Sequence, residues 1–150
     1  MAGNSFAKIL AAFDGSSDSV RAAKRASALA KEFSAALTLV HVYSIPAFAY
    51  GGPGPMPLVD FSALEDSAKT KAQEVLSRGI EACKDEGVTP TAQTLEASSI
   101  VQALVEYAAK NGHDLIVIGT RGMTGFKKLL VGSVSSGVVT HAQCSVLVVR

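Results

Sequence analysis

Four consecutive apolar residues, Leu115 to Ile118, limit most narrowly what this chain can fold into. A short apolar run that ends at a glycine predicts a β-strand buried on both faces, which in turn needs a parallel sheet covered by helices on each side. Further glycines follow at 122 and 125, and Gly132-Ser133 marks a predicted helix start. Because glycine lets a ligand approach the backbone and a helix start offers free N–H groups, we predict a phosphate-binding segment here.

The composition is typical of a globular chain. Of the 150 residues, 48% are apolar and 18% are charged, and the formal net charge is +1. We therefore expect a single domain over residues 1–150 with a substantial core. The nearly neutral charge argues against nucleic acid as the main partner. No apolar run is long enough for a membrane span and the start has no signal-peptide pattern, so we expect a cytoplasmic protein.

Apolar runs and helical stripes alternate along the chain. Pro90 cannot donate to a strand ladder, so the third strand should start late or lie at a sheet edge. The stretch from Ser44 to Asp60 is rich in proline and glycine, and we predict no regular element in it. The predicted strands are Lys8 to Phe13, Leu37 to Val42, Val88 to Glu96, Leu115 to Ile118 and Ser145 to Val149. The predicted helices start at Ser16 to Ser19, at Ser62 with a Ser62–Glu65 capping box, at Ser98 or Ser99, and at Gly132-Ser133.

This alternation predicts an α/β fold with a five-stranded, parallel, doubly wound sheet and helices on both faces. We assume the strand order 3-2-1-4-5 in a three-layer sandwich, the architecture shared by flavodoxin-like and adenine-nucleotide-hydrolase-like folds. Such a sheet binds its ligand outside the carboxyl ends of the strands where the order reverses, here between strands one and four. Asp14 follows strand one and Gly119 follows strand four, so the two most ligand-like features should meet at that point.

Three familiar nucleotide or phosphate motifs are absent from the sequence. There is no Walker pattern, no GxGxxG fingerprint, and no pair of acids after strand one as in a response regulator. Gly119, Gly122 and Gly132-Ser133 instead have the spacing glycine, two residues, glycine, nine residues, glycine and serine. With Asp14 after strand one and the Val-His-Val close of strand two, the chain resembles the ATP-binding branch of the universal stress protein family over almost its whole length.

The resemblance implies a set of nucleotide contacts. Backbone at Gly119 and Gly122 would approach the ribose and phosphates, Asp14 would bind the adenosine part, and the main chain of Val42 would meet the adenine. The helix start would offer N–H and hydroxyl groups to the phosphates, and Mg²⁺ or Mn²⁺ would accompany the triphosphate rather than occupy a protein cage. The full set of candidate contacts is Ala12, Phe13, Asp14, Val42, Ile118, Gly119, Arg121, Gly122, Gly132, Ser133, Val134 and Ser135.

Each of these residue types also has a purely structural interpretation. The glycines could serve turns, Asp14 could cap the first helix, and Ser133 and Ser135 could begin a helix without any ligand. The three histidines are scattered in sequence and favour structural or surface roles. Cys83 and Cys144 lack metal-ligand spacing, and we predict core thiols and no protein-held metal.

We therefore predict an ATP-binding stress or signalling module with little or slow hydrolysis and no assigned catalytic residue, because Asp14 is the one acid we place in the site. The alternatives are a slow ATPase or nucleotidyl-transfer enzyme, and an interaction protein of the same fold that binds cyclic AMP or no nucleotide. The apolar strand Ser145 to Val149 would lie at a sheet edge, and together with the family resemblance it predicts a homodimer.

Overall fold

The computed structural model describes residues 5–45, 54, 60–120 and 132–150. Strands and helices alternate throughout this part of the chain. Most of the proline- and glycine-rich stretch predicted to lack regular structure, and the middle of the glycine motif, lie outside the described residues. The elements are β1 (Lys8–Ala12), α1 (Ser17–Phe33), β2 (Ala36–Tyr43), α2 (Phe61–Asp85), β3 (Thr91–Glu96), α3 (Ile100–Lys110), β4 (Leu115–Gly119), α4 (Ser133–His141) and β5 (Ser145–Val149).

The five strands form one parallel sheet in the order β3-β2-β1-β4-β5, which confirms the predicted topology. Strand β1 lies at the centre, where Ile9 pairs with Leu37 of β2 on one side and with Leu115 of β4 on the other. Every residue of β4 is buried, as expected for a strand covered on both faces. Strand β3 starts directly after Pro90 and lies at the sheet edge, so both expectations for this strand are confirmed.

Two helices cover each face of the sheet. On one face α1 and α2 pack against strand residues such as Ile9, Leu39 and Val117. On the other face α3 and α4 pack against residues such as Leu10 and Ile116. Neighbouring residues of a strand point to opposite faces, so an uninterrupted apolar run supplies both cores at once. Within the described residues, no helix is long and apolar enough to cross a membrane.

Three helices begin with a side chain that accepts hydrogen bonds from the first turn. The Ser16 hydroxyl accepts from the N–H of Ser19 at 3.1 Å, and Ser99 does the same for α3. The predicted Ser62–Glu65 capping box of α2 is wrong, because Asp60 caps this helix by accepting from Ser62 N and Ala63 N at 3.1 and 3.2 Å. The Asp60 carboxylate satisfies these N–H groups of the first turn, and the helix therefore begins at Phe61.

Both cysteines are free thiols that pack within the structure. Cys83 is fully buried on α2, as predicted, whereas Cys144 is half-buried just before β5. Burial raises the pKa of each thiol, because it disfavours the charged thiolate. Both side chains therefore stay protonated at neutral pH.

Gly79 allows α2 to lie close to the sheet. A Cβ atom at this position would come within 2.5 Å of Leu39 Cδ2 and 3.0 Å of the Phe13 ring. Both neighbours are buried in the core and have little room to move. The glycine is therefore explained by packing and not by backbone conformation.

We expect Gly79→Ala to destabilise the protein by about 1 kcal/mol, because an overpacking cost of about 1–3 kcal/mol outweighs a gain in helix propensity of about 1 kcal/mol. Chemical denaturation should show this loss. Ser67→Ala, at an exposed position of the same helix, should change the free energy of unfolding by less than about 0.5 kcal/mol. A Gly79→Ala protein as stable as the wild type would contradict the close packing.

His113 is a buried histidine at the opposite end of the sheet from the predicted ligand site. It is 6% exposed, and its Nε2 lies 3.2 Å from Thr38 Oγ1. Burial lowers the pKa of the imidazole, and the positive charge of Lys8 lowers it further, whereas the Ala108 carbonyl and the Asp114 carboxylate oppose the shift. His113 is therefore neutral in the folded protein at neutral pH.

The pKa of His113 makes the stability of the protein depend on pH. The folded-state pKa lies below the ordinary value of 6.5, so the unfolded chain binds more protons as the pH falls through 6.5. Between pH 7.5 and 5.5 the melting temperature should fall more for the wild type than for His113→Gln. His141→Gln, which alters an exposed histidine, should behave like the wild type. Equal pH responses of all three proteins would refute this assignment.

Candidate functional site

The carboxyl ends of β1 and β4 form the point where the chain reverses its direction of winding. The two strands are neighbours, yet β1 leads into α1 on one face and β4 leads towards α4 on the other. Diverging connections leave a crevice above the strand ends, which is where sheets of this kind bind ligands. Asp14 follows β1 and Gly119 ends β4, so the fold brings these two predicted residues to adjacent strand ends.

Asp14 supports the turn between β1 and α1. Its Oδ1 accepts a hydrogen bond from the N–H of Ser16 at 2.9 Å, and Ser16 in turn caps the helix. The carboxylate therefore does not cap α1 itself, but it orders the residue that does. Asp14 is half-buried, so its side chain is fixed in position and still partly accessible.

The predicted contacts on β1, β2 and β4 have mostly buried side chains. Phe13, Val42 and Ile118 are at most 9% exposed, and Ala12 is half-buried. The N–H of Phe13 donates to the Val40 carbonyl at 2.8 Å, and the Phe13 carbonyl lies 2.8 Å from Nδ1 of His41. A ligand at these strand ends would therefore meet main-chain atoms more than side chains.

Gly119 lies against the start of α1. A Cβ atom at this residue would come within 2.9 Å of the backbone carbon and oxygen of Asp18. Backbone atoms at a helix start cannot move aside without displacing the helix. A structural reason for glycine thus exists at Gly119, in addition to the predicted approach of a ligand.

Thr120 connects the end of β4 to the elements around it. Its N–H donates to the Val149 carbonyl of β5 at 2.9 Å. Its own carbonyl accepts from the Gly132 N–H at 2.5 Å and from the Ser135 hydroxyl at 3.1 Å. The hydrogen bond from Gly132 to Thr120 therefore joins the two residues that flank the segment 121–131. The predicted contacts Arg121 and Gly122 belong to that segment and lie outside the described residues.

The start of α4 differs from the other helix starts in the described part of the chain. Gly132 precedes the helix with φ −72° and ψ 166°, and among the described residues no side chain caps the first turn. Ser133 is exposed and Val134 is half-buried. Free N–H groups at a helix start carry partial positive charge and suit an anion.

Ser135 is held inside the structure. It is 2% exposed, and its hydroxyl donates to the carbonyls of Gly132 and Thr120 at 3.0 and 3.1 Å. The hydroxyl is thus engaged in positioning the start of α4. The main-chain N–H of Ser135, and not its hydroxyl, is the group left for the predicted contact.

Asp18 and Thr120 are site-adjacent residues that the sequence analysis missed. Asp18 is 4% exposed, and its Oδ2 accepts from the Thr120 hydroxyl at 2.9 Å. Its Oδ1 pairs with the guanidinium of Arg21, one turn along the same helix. An acid in the first turn of a helix is a common preference, and its partner lies 102 residues away in sequence, so no local signal could have identified the pair.

The described residues contain no group of three or more His, Cys, Asp or Glu side chains that could hold a metal ion. The charged side chains described near the ends of β1 and β4 include Asp14, Asp18 and the partly exposed Arg21. The Arg78 guanidinium of α2 also lies beside Gly15 in the turn after β1, where a Cβ atom at Gly15 would come within 2.7 Å of it. The described part of the site therefore offers an anion the backbone N–H groups at the start of α4, with the Arg78 guanidinium near the turn after β1.

Comparisons with known proteins agree with this architecture. A model of the universal stress protein family matches residues 5–150. A universal stress protein of Methanocaldococcus jannaschii is 35% identical over 147 residues, which cover 98% of this chain and 84% of that protein.

Two solved structures are also similar to this chain. Universal stress protein UspA from Lactobacillus plantarum is 27% identical, with a TM-score of 0.75 over 96% of this chain and 97% of that chain. A universal stress protein solved in complex with cyclic AMP is 25% identical, with a TM-score of 0.70 over 98% of each chain. From the family match over residues 5–150 and the identity to the Methanocaldococcus protein, the chain belongs to the universal stress protein family.

Proposed function

We propose that this protein binds ATP at the carboxyl ends of β1 and β4 and acts as a nucleotide-dependent stress or signalling module. The observation that carries the proposal is the start of α4, which no described side chain caps and which the Gly132–Thr120 hydrogen bond holds beside the end of β4. A helix start without a side-chain cap keeps its N–H groups available for phosphate oxygens. Asp14, at the end of the neighbouring strand, supplies the second half of the site.

The proposed site has an adenosine half and a phosphate half. In the adenosine half, the Asp14 carboxylate accepts hydrogen bonds from the nucleoside, and the main chain near Val42 meets the adenine. In the phosphate half, the N–H groups of Ser133, Val134 and Ser135 and the Ser133 hydroxyl contact the phosphates. Ser133 is exposed, which supports a hydroxyl contact there. The Ser135 hydroxyl is buried and hydrogen-bonded internally, which supports a contact through the N–H alone.

Cyclic AMP is the alternative ligand that a specific observation favours. The universal stress protein solved with cyclic AMP is 25% identical to this chain over nearly its full length. Cyclic AMP carries one phosphate with one negative charge, whereas ATP presents a triphosphate that reaches more of the helix start. Mg²⁺ or Mn²⁺ would arrive with the triphosphate, since these cations are commonly held by phosphates and a few carboxylates.

We propose that hydrolysis of ATP is slow at most. Phosphoryl transfer needs an acid that positions a metal and a group that orients the attacking water. The Asp14 carboxylate is shared between the turn that leads into α1, where it accepts from the Ser16 N–H, and the proposed nucleoside contact. Purified protein should therefore turn over ATP far more slowly than a dedicated ATPase does.

Asp14→Asn tests the adenosine half without disturbing the turn. Asparagine can still accept from the Ser16 N–H, so the melting temperature without ligand should stay near that of the wild type. Loss of the charge-assisted bond to the nucleoside should weaken ATP binding about tenfold by titration calorimetry. Saturation of the wild type at about 100 times its dissociation constant should stabilise it by about 2.7 kcal/mol.

Asp66→Asn is the control for this experiment, because it makes the same chemical change at an exposed position of α2 and should leave ATP affinity unchanged. Parallel titrations with cyclic AMP decide between the two ligands. A wild-type protein that neither binds nor is stabilised by either nucleotide would refute the proposed function.

We further propose that the protein forms a homodimer through β5. This strand is last in the sheet order, and its outer edge offers backbone groups that a second copy can pair with. The Val149 carbonyl accepts from Thr120 N on the β4 side. In a strand, the N–H and C=O of one residue point to the same side, and successive residues alternate between the two sides. Because Val149 faces β4, the N–H and C=O of Val148 point to the outer edge.

Val148→Pro removes one outward N–H of β5 and leaves the hydrogen bonds to β4 in place, as proline is tolerated on edge strands. Light scattering should show a dimer for the wild type and a shift towards monomer for the variant. Val148→Thr keeps the N–H and the branched shape, and should remain dimeric. A wild type that is monomeric at micromolar concentration would end the dimer proposal.

A further inference from the structure

Asp18 joins the first turn of α1 to the residue at which the glycine-containing segment begins. Its carboxylate is buried and accepts from the Thr120 hydroxyl, and its main chain packs directly on Gly119. We propose that Asp18 is a positioning residue that sets the phosphate half of the nucleotide site relative to the adenosine half. This inference rests on the proposed function of the site.

A buried carboxylate is costly, and its position therefore needs a reason. Removing a carboxylate from water is unfavourable unless hydrogen bonds and an opposite charge compensate it. Thr120 supplies a hydroxyl donor from inside, and Arg21, whose side chain is 48% exposed, supplies a cation from the solvent side. These partners hold the carboxylate in position and so set the distance between α1 and Thr120.

Further bonds carry this constraint to the start of α4. The Thr120 carbonyl accepts from the Gly132 N–H and from the Ser135 hydroxyl. The position of the Thr120 peptide thus determines where α4 begins. The proposed phosphate contacts at Ser133 and Val134 follow directly after Gly132 and move with it.

The start of α1, which contains Asp18, also carries the adenosine half. The Asp14 carboxylate accepts from Ser16 N, Ser16 caps α1, and Asp18 lies in the first turn of that helix. Asp18 is therefore attached to the adenosine half by a short stretch of backbone and to the phosphate half by the hydrogen bond from Thr120. A ligand that spans both halves should depend on Asp18 more strongly than a ligand that occupies one of them.

ATP and adenosine separate a positioning role from a general structural role. Titrations of Asp18→Asn and Thr120→Val should show ATP affinity reduced about tenfold, the size expected for a hydrogen bond to a charged group. Adenosine, followed by NMR titration, should bind with less than a twofold change. The double variant should lose little more than either single variant, because both act on one interaction: Asp18→Asn removes its charge and Thr120→Val removes its donor.

Two further variants complete the design. Thr120→Ser keeps the hydroxyl and should recover most of the ATP affinity that Thr120→Val loses. Glu32→Gln makes the same acid-to-amide change at an exposed position of α1 and should leave both affinities unchanged. In the free protein, hydrogen exchange of the Gly132 amide should be faster in Asp18→Asn than in Glu32→Gln.

Three results would overturn the inference. They are equal losses for ATP and adenosine, wild-type ATP affinity in both Asp18→Asn and Thr120→Val, and no recovery in Thr120→Ser. A wild type that binds no adenine nucleotide would instead refute the proposed function. The role of Asp18 is then judged by hydrogen exchange alone, where unchanged protection of Gly132 overturns it.

Discussion

Burial of β4 on both faces is the constraint on which the rest of this structure depends. A strand whose five residues are all buried needs neighbours on each side and a helical layer above and below. Strands β1 and β5 are its neighbours in the sheet, and the helix pairs α1–α2 and α3–α4 cover its two faces. Because β4 ends inside this sandwich, Gly119 and Thr120 lie at the crevice above the strand ends. The position of the candidate site is thus a consequence of how the core is built.

The sequence predicts the fold well because the signals for the sheet are local and strong. Apolar runs identified all five strands, and Pro90 correctly indicated an edge strand that starts late. The strand order was assumed from architecture and is confirmed. The start of α2 was missed because Asp60, at the end of a proline-rich stretch, is a competing cap that the capping-box pattern does not consider.

The candidate site is predictable in its position but less so in its contacts. Asp14 and Gly119 do lie at neighbouring strand ends, as topology requires. Periodicity and motif spacing could not reveal that Asp18 pairs with Thr120, because that contact joins residues from opposite ends of the chain. Nor could they show that the Ser135 hydroxyl is used internally, since serine at a helix start suits a ligand and a backbone carbonyl equally well.

The hydrogen bond between Gly132 and Thr120 has a consequence for how this part of the chain can change over evolution. Since both stems of the intervening segment are fixed within one bond of each other, a longer segment would cost little closure entropy, about 0.6 kcal/mol for each doubling in length. Chain connectivity therefore permits many lengths between the second and third motif glycines. If related chains keep a constant spacing there, the constraint comes from contacts with a ligand or partner and not from the covalent geometry of the backbone.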